Sequence, residues 1–358
     1  MVTPTYLNGR FLTQPQSGVQ RFAVEITAAL ARIWPSGSLP RPTLLLPAGA
    51  EVASPLPVRR VGRRRGVAWE QLELPRHVAD GVLVNLGNTG PLRVRRQVVV
   101  IHDTGVFGSP DAYSWQFRAW YKLLQRGLVR RGARIATVSE FSRTEILRHL
   151  GTPAVPPRVL PEGADHMHRI AADTSVLQQH GLEPGRFVLA VGNLAAHKNL
   201  AALGETARAL DQRGLPLVIT GGLDAGVFSA RRTPLPQPAR YVGRVSDEEL
   251  RGLYGTAACF VFPSLYEGYG LPVIEAMACG CPVVASSIPA LREVCRDAAL
   301  FCDPLAPEDI ARQVCRVLDE PGLSQTLRQD GSRLVESLTW DAAAGALLEL
   351  IRGASDPA

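Results

Sequence analysis

Short, uninterrupted apolar runs alternate along the first half of the chain with segments of helical periodicity. The runs of strand type cover residues 81–86, 97–101, 134–138 and 158–160. Apolar runs of this length, separated by helical segments, are typical of buried parallel strands. The pattern predicts a parallel α/β layer with a helix that begins near Ser139 or Ser142, where Ser142 and Glu145 could form a capping box.

A second series of the same kind follows a proline-rich segment, 151–157, and a connecting passage, 162–174. We predict strands at 187–191, 217–220, 259–262 and 282–286, and helices at 200–212, 290–297, 307–319 and 340–352. Residues 224–238, rich in arginine and proline, are expected to form a loop. Ser246 precedes three acidic residues, which indicates a helix cap and first turn.

Residues 260–287 hold two carboxylates on either side of a glycine-rich turn that opens into a helix. Glu267 directly precedes the turn, Pro272 suits the start of a helix, and Glu275 lies one turn inside it. A helix N-terminus presents unpaired N–H groups and a positive dipole end, which suits an anion such as a diphosphate. The two acids could then bind hydroxyl groups on either side of the phosphate. The stretch therefore predicts a nucleotide-sugar site.

Length and composition favour an ordinary globular protein with two cores. The chain has 358 residues, no apolar run of transmembrane length and no signal-peptide pattern, so we expect a cytoplasmic protein. All six cysteines lie between Cys259 and Cys315, without a CxxC pair of metal spacing. We expect them to be reduced and mostly buried.

Charge is uneven along the chain. Residues 1–165 hold 22 basic and 11 acidic residues, a net charge of +11, whereas the remainder holds 17 and 22, a net charge of −5. The densest basic run comprises Arg59, Arg60, Arg63, Arg64 and Arg65. It is either a solvated loop or a contact for anionic lipid head groups or a pyrophosphate-linked acceptor, where each cation contributes about 1 kcal/mol. No nucleic-acid motif or aromatic stacking pattern accompanies it, so a nucleic-acid partner is not expected.

The paired acids resemble a known family. Separated by seven residues within E-G-Y-G-L-P-V-I-E, Glu267 and Glu275 resemble the acids of the retaining glycosyltransferases of family 4, which have the GT-B fold. Five further stretches fall in that family's order: QSGVQRF (16–22), VIHD (100–103), TVSEFS (137–142), LPEGAD (160–165) and VGNLAAHKNL (191–200). The resemblance covers most of the chain and is most specific in the second half. Within the family, the chain is most similar to bacterial enzymes of surface-polysaccharide synthesis, often mannosyltransferases.

The resemblance implies an α/β fold of GT-B type, with two Rossmann-like domains that face each other across a cleft. The expected boundaries are 1–168 for an acceptor-side domain, 169–339 for a nucleotide-sugar domain, and 340–358 for a helix that packs back on the first domain. Asn193 and His197 stand where the family often has arginine. Glu162 and Ala164 replace the more usual Asn and Val, a change that we interpret as neutral.

The resemblance and the residue chemistry together predict the site. Donor binding is assigned to Gly18, Asn193, Lys198, Gly243, Glu267, Gly268, Tyr269, Gly270, Leu271 and Glu275. Catalytic roles are assigned to His102, Glu267 and Lys198, and accessory roles to Asp103, Ser139 and His197. Lys198 is one of only two lysines, against 37 arginines. No DxD motif is present, so we expect no metal, and no residue stands out as a covalent nucleophile, which favours front-face transfer.

Structural alternatives accompany several of these assignments. Lys198 could cap a helix on the surface, His102 could be a buried structural histidine, Asp103 a loop cap and Ser139 a helix N-cap. Glu275 could be a solvated helix charge, although Val273, Ile274, Ala276 and Met277 around it are apolar.

The predicted function is retaining transfer of a hexose, with mannose from GDP-mannose favoured, to a lipid-linked or oligosaccharide acceptor. The nucleotide sugar is a co-substrate, and no other cofactor is expected. Peripheral attachment to the inner face of an anionic membrane is a further expectation. The alternatives are a catalytically inactive sugar-nucleotide-binding protein, a sugar-nucleotide epimerase of the same fold, and a dinucleotide oxidoreductase, for which the G-x-G-x-x-G turn is missing.

Overall fold

The computed structural model describes residues 3–35, 40–50, 52–78, 81–108, 114–222 and 235–355. It divides into two compact units, each built on one parallel sheet. Unit 1 comprises Met1–Phe107, Arg118–Gly163 and Trp340–Ala358, and unit 2 comprises Gly108–Phe117 and Ala164–Thr339. Within the described residues, no helix is both long and apolar enough to cross a bilayer.

The helices alternate with strands, as in other doubly wound folds. In chain order they are α1 (Gly18–Ile33), α2 (Gly66–Ala68), α3 (Gly105–Gly108), α4 (Trp115–Arg130), α5 (Glu140–Leu150), α6 (His166–Arg169), α7 (Ser175–Gln179), α8 (Gly204–Asp211), α9 (Asp247–Thr256), α10 (Leu271–Ala278), α11 (Pro289–Cys295), α12 (Pro307–Asp319), α13 (Pro321–Glu336) and α14 (Trp340–Ser355).

Unit 1 contains a seven-stranded sheet in the order β3-β2-β1-β4-β5-β6-β7. Its strands are β1 (Thr5–Asn8), β2 (Thr43–Pro47), β3 (Val58–Val61), β4 (Val82–Asn85), β5 (Gln97–Val100), β6 (Arg134–Thr137) and β7 (Arg158–Val159). All neighbours are parallel, and Leu7 of β1 lies opposite Leu44 and Val84. Helix α14 packs against α1, with the rings of Phe22 and Trp340 5.6 Å apart in an edge-to-face contact. The last helix is therefore part of the core of unit 1.

Unit 2 contains a six-stranded parallel sheet in the order β10-β9-β8-β11-β12-β13. Its strands are β8 (Val188–Val191), β9 (Leu217–Thr220), β10 (Arg240–Gly243), β11 (Cys259–Phe262), β12 (Val283–Ser286) and β13 (Leu300–Cys302). Every side chain of β11 and β12 is buried. Because the strands are parallel, the loops after β8, β9 and β11 gather at one edge of the sheet, where ligands of open α/β sheets bind.

The strands predicted in both halves are confirmed within one or two residues. The sequence did not predict β1, β2, β3, β10 and β13, nor the helices α4 and α13. The segment 224–238 falls largely outside the described residues. Two arginines of the basic run, Arg59 and Arg60, lie in the edge strand β3 rather than in a loop. Their side chains donate hydrogen bonds to the carbonyls of His77 and Ala50.

Helix caps were predicted with mixed success. The cap at Ser246 is confirmed as a full capping box with Glu249. The proposed box of Ser142 and Glu145 is wrong, because Ser139 caps α5 by accepting a hydrogen bond from the Ser142 amide. The Ser142 hydroxyl instead donates to the His102 carbonyl at 2.9 Å. The predicted helix 200–212 begins as a 3-10 turn, Leu200–Leu203, after the left-handed residue Asn199.

Candidate functional site

The glycine-rich turn of unit 2 ends in a left-handed glycine that starts α10. Gly270 has φ of 113°, and a side chain there would clash with Leu291 Cδ2. Glycine is therefore required both by backbone angle and by space. Pro272 lies in the first turn of α10, and the N-cap residue, Gly270, makes no side-chain cap hydrogen bond to this helix start. The amino end of α10 thus keeps the partial positive charge expected of a helix N-terminus.

Lys198 and Glu267 form the ion pair at the centre of this edge. The Lys198 Nζ donates to Glu267 Oε1 at 2.6 Å, and the two side chains are only 18% and 13% exposed. Lys198 follows β8 and Glu267 follows β11, and these two strands are neighbours in the sheet. The Leu265 amide also donates to the His197 carbonyl at 2.8 Å, which ties the two loops together.

His197 lies beside this pair as a neutral residue. Burial and then the charge of Lys198 lower its pKa from 6.5 to about 4, against the opposing effect of Glu267. At neutral pH its imidazole adds no positive charge to the site. Asn193 stabilises the turn before it, since its side-chain oxygen accepts from the Ala195 amide at 3.3 Å. Lys198 is therefore the cation that the loop after β8 supplies.

Glu275 is buried on α10 and bound through both carboxylate oxygens. His166 Nε2 lies 3.1 Å from Oε1, and the Tyr254 hydroxyl lies 3.4 Å from Oε2. Burial and the charge of Glu275 raise the pKa of Tyr254 well above its ordinary value, so the phenol stays protonated and donates. A solvated helix charge is excluded, because Glu275 is 7% exposed.

Sequence reasoning missed His166 and Tyr254 as partners of Glu275. His166 directly follows the family-like segment 160–165, which was a usable signal. Tyr254 stands on the apolar face of α9, where a tyrosine is usually part of the core, and no pattern marked it.

Gly243 lies at the end of β10 with φ of 77°. Its carbonyl accepts from the Gly221 amide at 3.0 Å and from the Thr220 hydroxyl at 2.7 Å. A side chain on Gly221 would collide with the Gly192 carbonyl. The ends of β8, β9 and β10 are therefore held close together, with backbone rather than side chains at this part of the edge.

His102 of unit 1 is buried after β5 with both ring nitrogens facing protein oxygens. Its Nε2 lies 2.9 Å from the Leu86 carbonyl, so this nitrogen carries the proton, and its Nδ1 lies 3.6 Å from Glu162 Oε1. Phe22 packs edge-on against the ring at 4.7 Å. Glu162 is 4% exposed. The interpretation of Glu162 as a neutral change therefore needs correction, because it places a buried carboxylate against the histidine.

The other predicted residues of unit 1 make local contacts. Gly18 is the first residue of α1, with open space around its Cα. Asp103 accepts from the Gly105 amide at 2.6 Å, as a loop cap does, and Ser139 is the cap of α5.

The predicted site residues fall into two groups, one in each unit. Unit 2 brings together, on the loops after β8 and β11 and on α10, the residues Asn193, His197, Lys198, Glu267, Gly268, Tyr269, Gly270, Leu271 and Glu275, with Gly243 on the same edge. Unit 1 holds Gly18, His102, Asp103 and Ser139. Among the described residues, no group of three His, Cys, Asp or Glu side chains is arranged to hold a metal ion.

The neutral state of His197 predicts a loss of stability in acid. Its folded-state pKa of about 4 lies below the ordinary 6.5, so the unfolded chain binds the proton more tightly. Stability falls as the pH drops from 6.5 toward 4, by about 2 kcal/mol between pH 7 and pH 5. Urea unfolding across this range is the measurement. His197→Asn should remove this part of the pH dependence, and His168→Asn, at an exposed position, should retain it. An unchanged slope in His197→Asn would contradict the assignment.

Two family models match the two halves of the chain. The family model "Glycosyltransferase Family 4" matches residues 52–167, and the model "Glycosyl transferases group 1" matches residues 174–333. The chain is 33% identical over 263 residues to O-antigen chain mannosyltransferase B of Escherichia coli, covering 70% of this chain and 68% of that protein. It is 27% identical over 235 residues to O-antigen chain mannosyltransferase RfbU of Salmonella typhimurium, covering 62% and 63%.

A solved structure shows the same fold. HepE of Anabaena, in complex with UDP and glucose, is similar with a TM-score of 0.73 at 15% identity, over 99% of this chain and 100% of that chain. The expected fold class, two α/β units of GT-B type, is confirmed. With its two family models and its O-antigen mannosyltransferase relatives, this chain belongs to the family 4 glycosyltransferases.

Proposed function

We propose that this protein transfers a hexose, with mannose favoured, from a nucleotide sugar to a lipid-linked or oligosaccharide acceptor, with retention and without a metal ion. The observation that carries the proposal is the Lys198–Glu267 pair at the amino end of α10. The donor carries a diphosphate next to a polyhydroxylated ring. The cation and the positive helix end match the diphosphate, and the carboxylate matches the hydroxyl groups of the ring.

Each group has a distinct role in this proposal. Lys198 and the α10 amides offset the charge that grows on the leaving diphosphate as the glycosidic bond breaks. Glu267 accepts hydrogen bonds from sugar hydroxyls and keeps Lys198 in place. Glu275 accepts from the ribose hydroxyls, oriented by His166 and Tyr254. In front-face transfer the acceptor hydroxyl attacks from the side of the leaving group, and the leaving phosphate takes its proton.

His102 is assigned a positioning role. Both of its ring nitrogens face protein oxygens, its amide donates to Asn88 Oδ1 at 2.7 Å, and its carbonyl accepts from Ser142. These bonds join the loops after β4 and β5 to the start of α5. His102 thus fixes one edge of unit 1, and we propose that Glu162 orients its ring.

The alternative is a sugar-nucleotide-binding protein without transferase activity. It is favoured by Asn193 and His197, since neither supplies a positive charge at the loop after β8. Measured transfer decides between the two candidates.

Removing either acid should abolish transfer. We expect Glu267→Ala and Glu275→Ala to lower the transfer rate by about 100-fold or more, because each removes a group that positions the reacting donor. A panel of nucleotide sugars and glycan acceptors, with product detection by mass spectrometry, is the assay. Glu183→Ala, at a side chain 75% exposed in unit 2, is the control and should be fully active. Near-normal turnover in either acid variant would reject the site.

Tyr254→Phe tests how Glu275 is held. The ring keeps its packing, but the hydroxyl that donates to Glu275 is lost. We expect the KM for the donor to rise by up to about tenfold with little change in kcat, since the hydroxyl acts on binding through Glu275. A variant with an unchanged KM would show that Glu275 does not depend on this contact.

The donor base is decided by a thermal-shift screen with UDP, GDP, TDP and ADP sugars. A ligand at a hundredfold excess over its Kd stabilises the folded state by about 2.7 kcal/mol. The names of the mannosyltransferase relatives favour a mannose donor without indicating its base, whereas HepE was solved in complex with UDP and glucose. We expect the sugars of one base to raise the Tm clearly. If no metal takes part, the same shift should be measured in the presence of EDTA. The absence of a shift with every sugar would speak against the proposed function.

An anionic membrane surface is proposed as a partner through α4. Trp115 and Leu123 of this helix are 72% and 64% exposed, and Arg126 and Arg130 are exposed beside them. Apolar and cationic side chains on one exposed helix surface are typical of binding at a lipid interface. We favour α4 over the basic run, because α4 adds exposed apolar side chains to its cations, whereas Arg59 and Arg60 of the run are bonded to backbone carbonyls.

Vesicle binding tests this partner. The double variant Trp115→Ala, Leu123→Ser should bind vesicles of phosphatidylglycerol and phosphatidylcholine about tenfold more weakly, because apolar area is lost at the interface. Co-sedimentation measures the bound fraction. Leu305→Ser, at a leucine 79% exposed in unit 2, is the matched control. Equal binding by the wild type and the double variant would exclude α4 as the contact.

A further inference from the structure

We propose that a narrow cavity at the carboxyl ends of β1 and β4 binds an uncharged, hydroxyl-rich sugar ring of the acceptor, with Arg10 Nε as the donor to the ring and Glu70 and Thr89 holding the guanidinium in place. The inference rests on the proposed function and names the substrate class of a second subsite. The cavity lies wholly in unit 1 and has room inside for about one water-sized group. A sugar ring would therefore lie over its mouth and insert a hydroxyl group.

The backbone after β1 directs Arg10 into this cavity. Gly9 follows the strand where a side chain would press on the Leu45 carbonyl at 2.8 Å, so only glycine lets the chain turn here. Asn8 caps the 3-10 turn Gly9–Thr13 by accepting from the Arg10 amide at 3.2 Å. The guanidinium is thus held at a carboxyl edge, the usual location of ligands in open α/β sheets.

Arg10, Glu70 and Thr89 are joined to one another by hydrogen bonds. Arg10 Nη1 donates to Glu70 Oε2 at 2.9 Å and to Thr89 Oγ1 at 3.2 Å. The Thr89 hydroxyl donates to Glu70 Oε1 at 2.9 Å, and the side-chain Nδ2 of Asn8 donates to the same oxygen at 2.8 Å. Glu70 is 1% exposed. The hydrogen bonds to Glu70 and Thr89 therefore fix the orientation of the Arg10 guanidinium.

One donor of this set has no acceptor. Arg10 Nε is buried and makes no hydrogen bond within the described part of the chain. Buried N–H groups in folded proteins are nearly always bonded to protein, water or ligand. Arg10 is held through one terminal nitrogen, and it lines the cavity. Its Nε–H can therefore donate a hydrogen bond to a ligand oxygen.

The charge of the set selects the ligand class. Arg10 and Glu70 balance each other, so the cavity offers no net positive charge, and the buried carboxylate would repel a phosphate. Tyr121 lies within electrostatic range of both, and burial raises the pKa of its phenol, so it remains a neutral hydroxyl. Donors and acceptors of balanced charge match the hydroxyl groups of a neutral sugar.

Direct binding tests the subsite without transfer. Ligand-observed NMR on the full chain would measure the Kd of the methyl α-glycosides of mannose, glucose, galactose and N-acetylglucosamine. We expect at least one to bind. Arg10→Lys keeps the charge next to Glu70 but removes Nε, and should weaken binding about tenfold. Arg32→Lys, at an exposed pair with Asp341 in the same unit, is the matched control and should bind as the wild type does.

A second variant covers the case in which Arg10→Lys fails to fold. Gln14 lines the mouth of the cavity at an exposed position, so Gln14→Ala keeps the buried set intact and should also weaken glycoside binding. Nucleotide-sugar binding in the thermal-shift screen should be unchanged in all variants. Three results would overturn the inference. They are wild-type affinity for the glycosides in both cavity variants, no glycoside binding by the wild type, and tighter binding of mannose 1-phosphate than of the neutral glycosides. Normal donor binding with any of these results would leave the proposed function standing.

Discussion

The ion pair of Lys198 and Glu267 is the interaction on which the organisation of unit 2 depends. It joins the loop after β8 to the loop after β11 at 2.6 Å, at the amino end of α10. A largely buried charge without its partner is strongly destabilising, so each member requires the other in the absence of a ligand. Burial is the main cause of the lowered pKa that keeps His197 neutral; the Lys198 charge adds to this effect and Glu267 opposes it. An anionic ligand at this edge would therefore meet one fixed cation and a helix dipole.

Glu275 is a buried carboxylate held in an apolar setting by two side chains. Its neighbours on α10 are apolar and buried, and both of its oxygens are bound by side chains from other helices, His166 and Tyr254. A buried carboxylate is tolerated only with such partners. Its remaining lone pairs still allow it to accept hydrogen bonds from a ligand. The two partners thus fix the orientation of Glu275 and leave it able to accept further hydrogen bonds.

In unit 1 the corresponding edge is built from polar side chains rather than from a glycine turn. His102 and Glu162 lie after β5 and β7, and Arg10, Glu70 and Thr89 lie at the ends of β1 and β4. In the set at β1 and β4, the Arg10 guanidinium is paired with the buried Glu70 carboxylate, so this set adds no net charge. Unit 2 also has a balanced pair, Lys198 and Glu267, but there the amino end of α10 adds its partial positive charge. This difference is the physical reason for proposing a diphosphate at unit 2 and a neutral sugar ring at unit 1.

The sequence by itself determined four of the six strands of unit 2, the glycine turn before α10 and the two acids that flank it, because apolar periodicity and glycine chemistry are local properties; it missed the edge strands β10 and β13. It also showed the family through the spacing of Glu267 and Glu275. Only the tertiary structure decided which side chains meet across distant segments: Glu162 against His102, His166 and Tyr254 against Glu275, and Arg10 against Glu70. The first strands of unit 1 and the helix α13 were also missed. Arg10 and Glu70 are 60 positions apart, and His166 and Glu275 are 109 apart. Such contacts arise from strand order and from the packing of helices on the sheets, which no local pattern encodes.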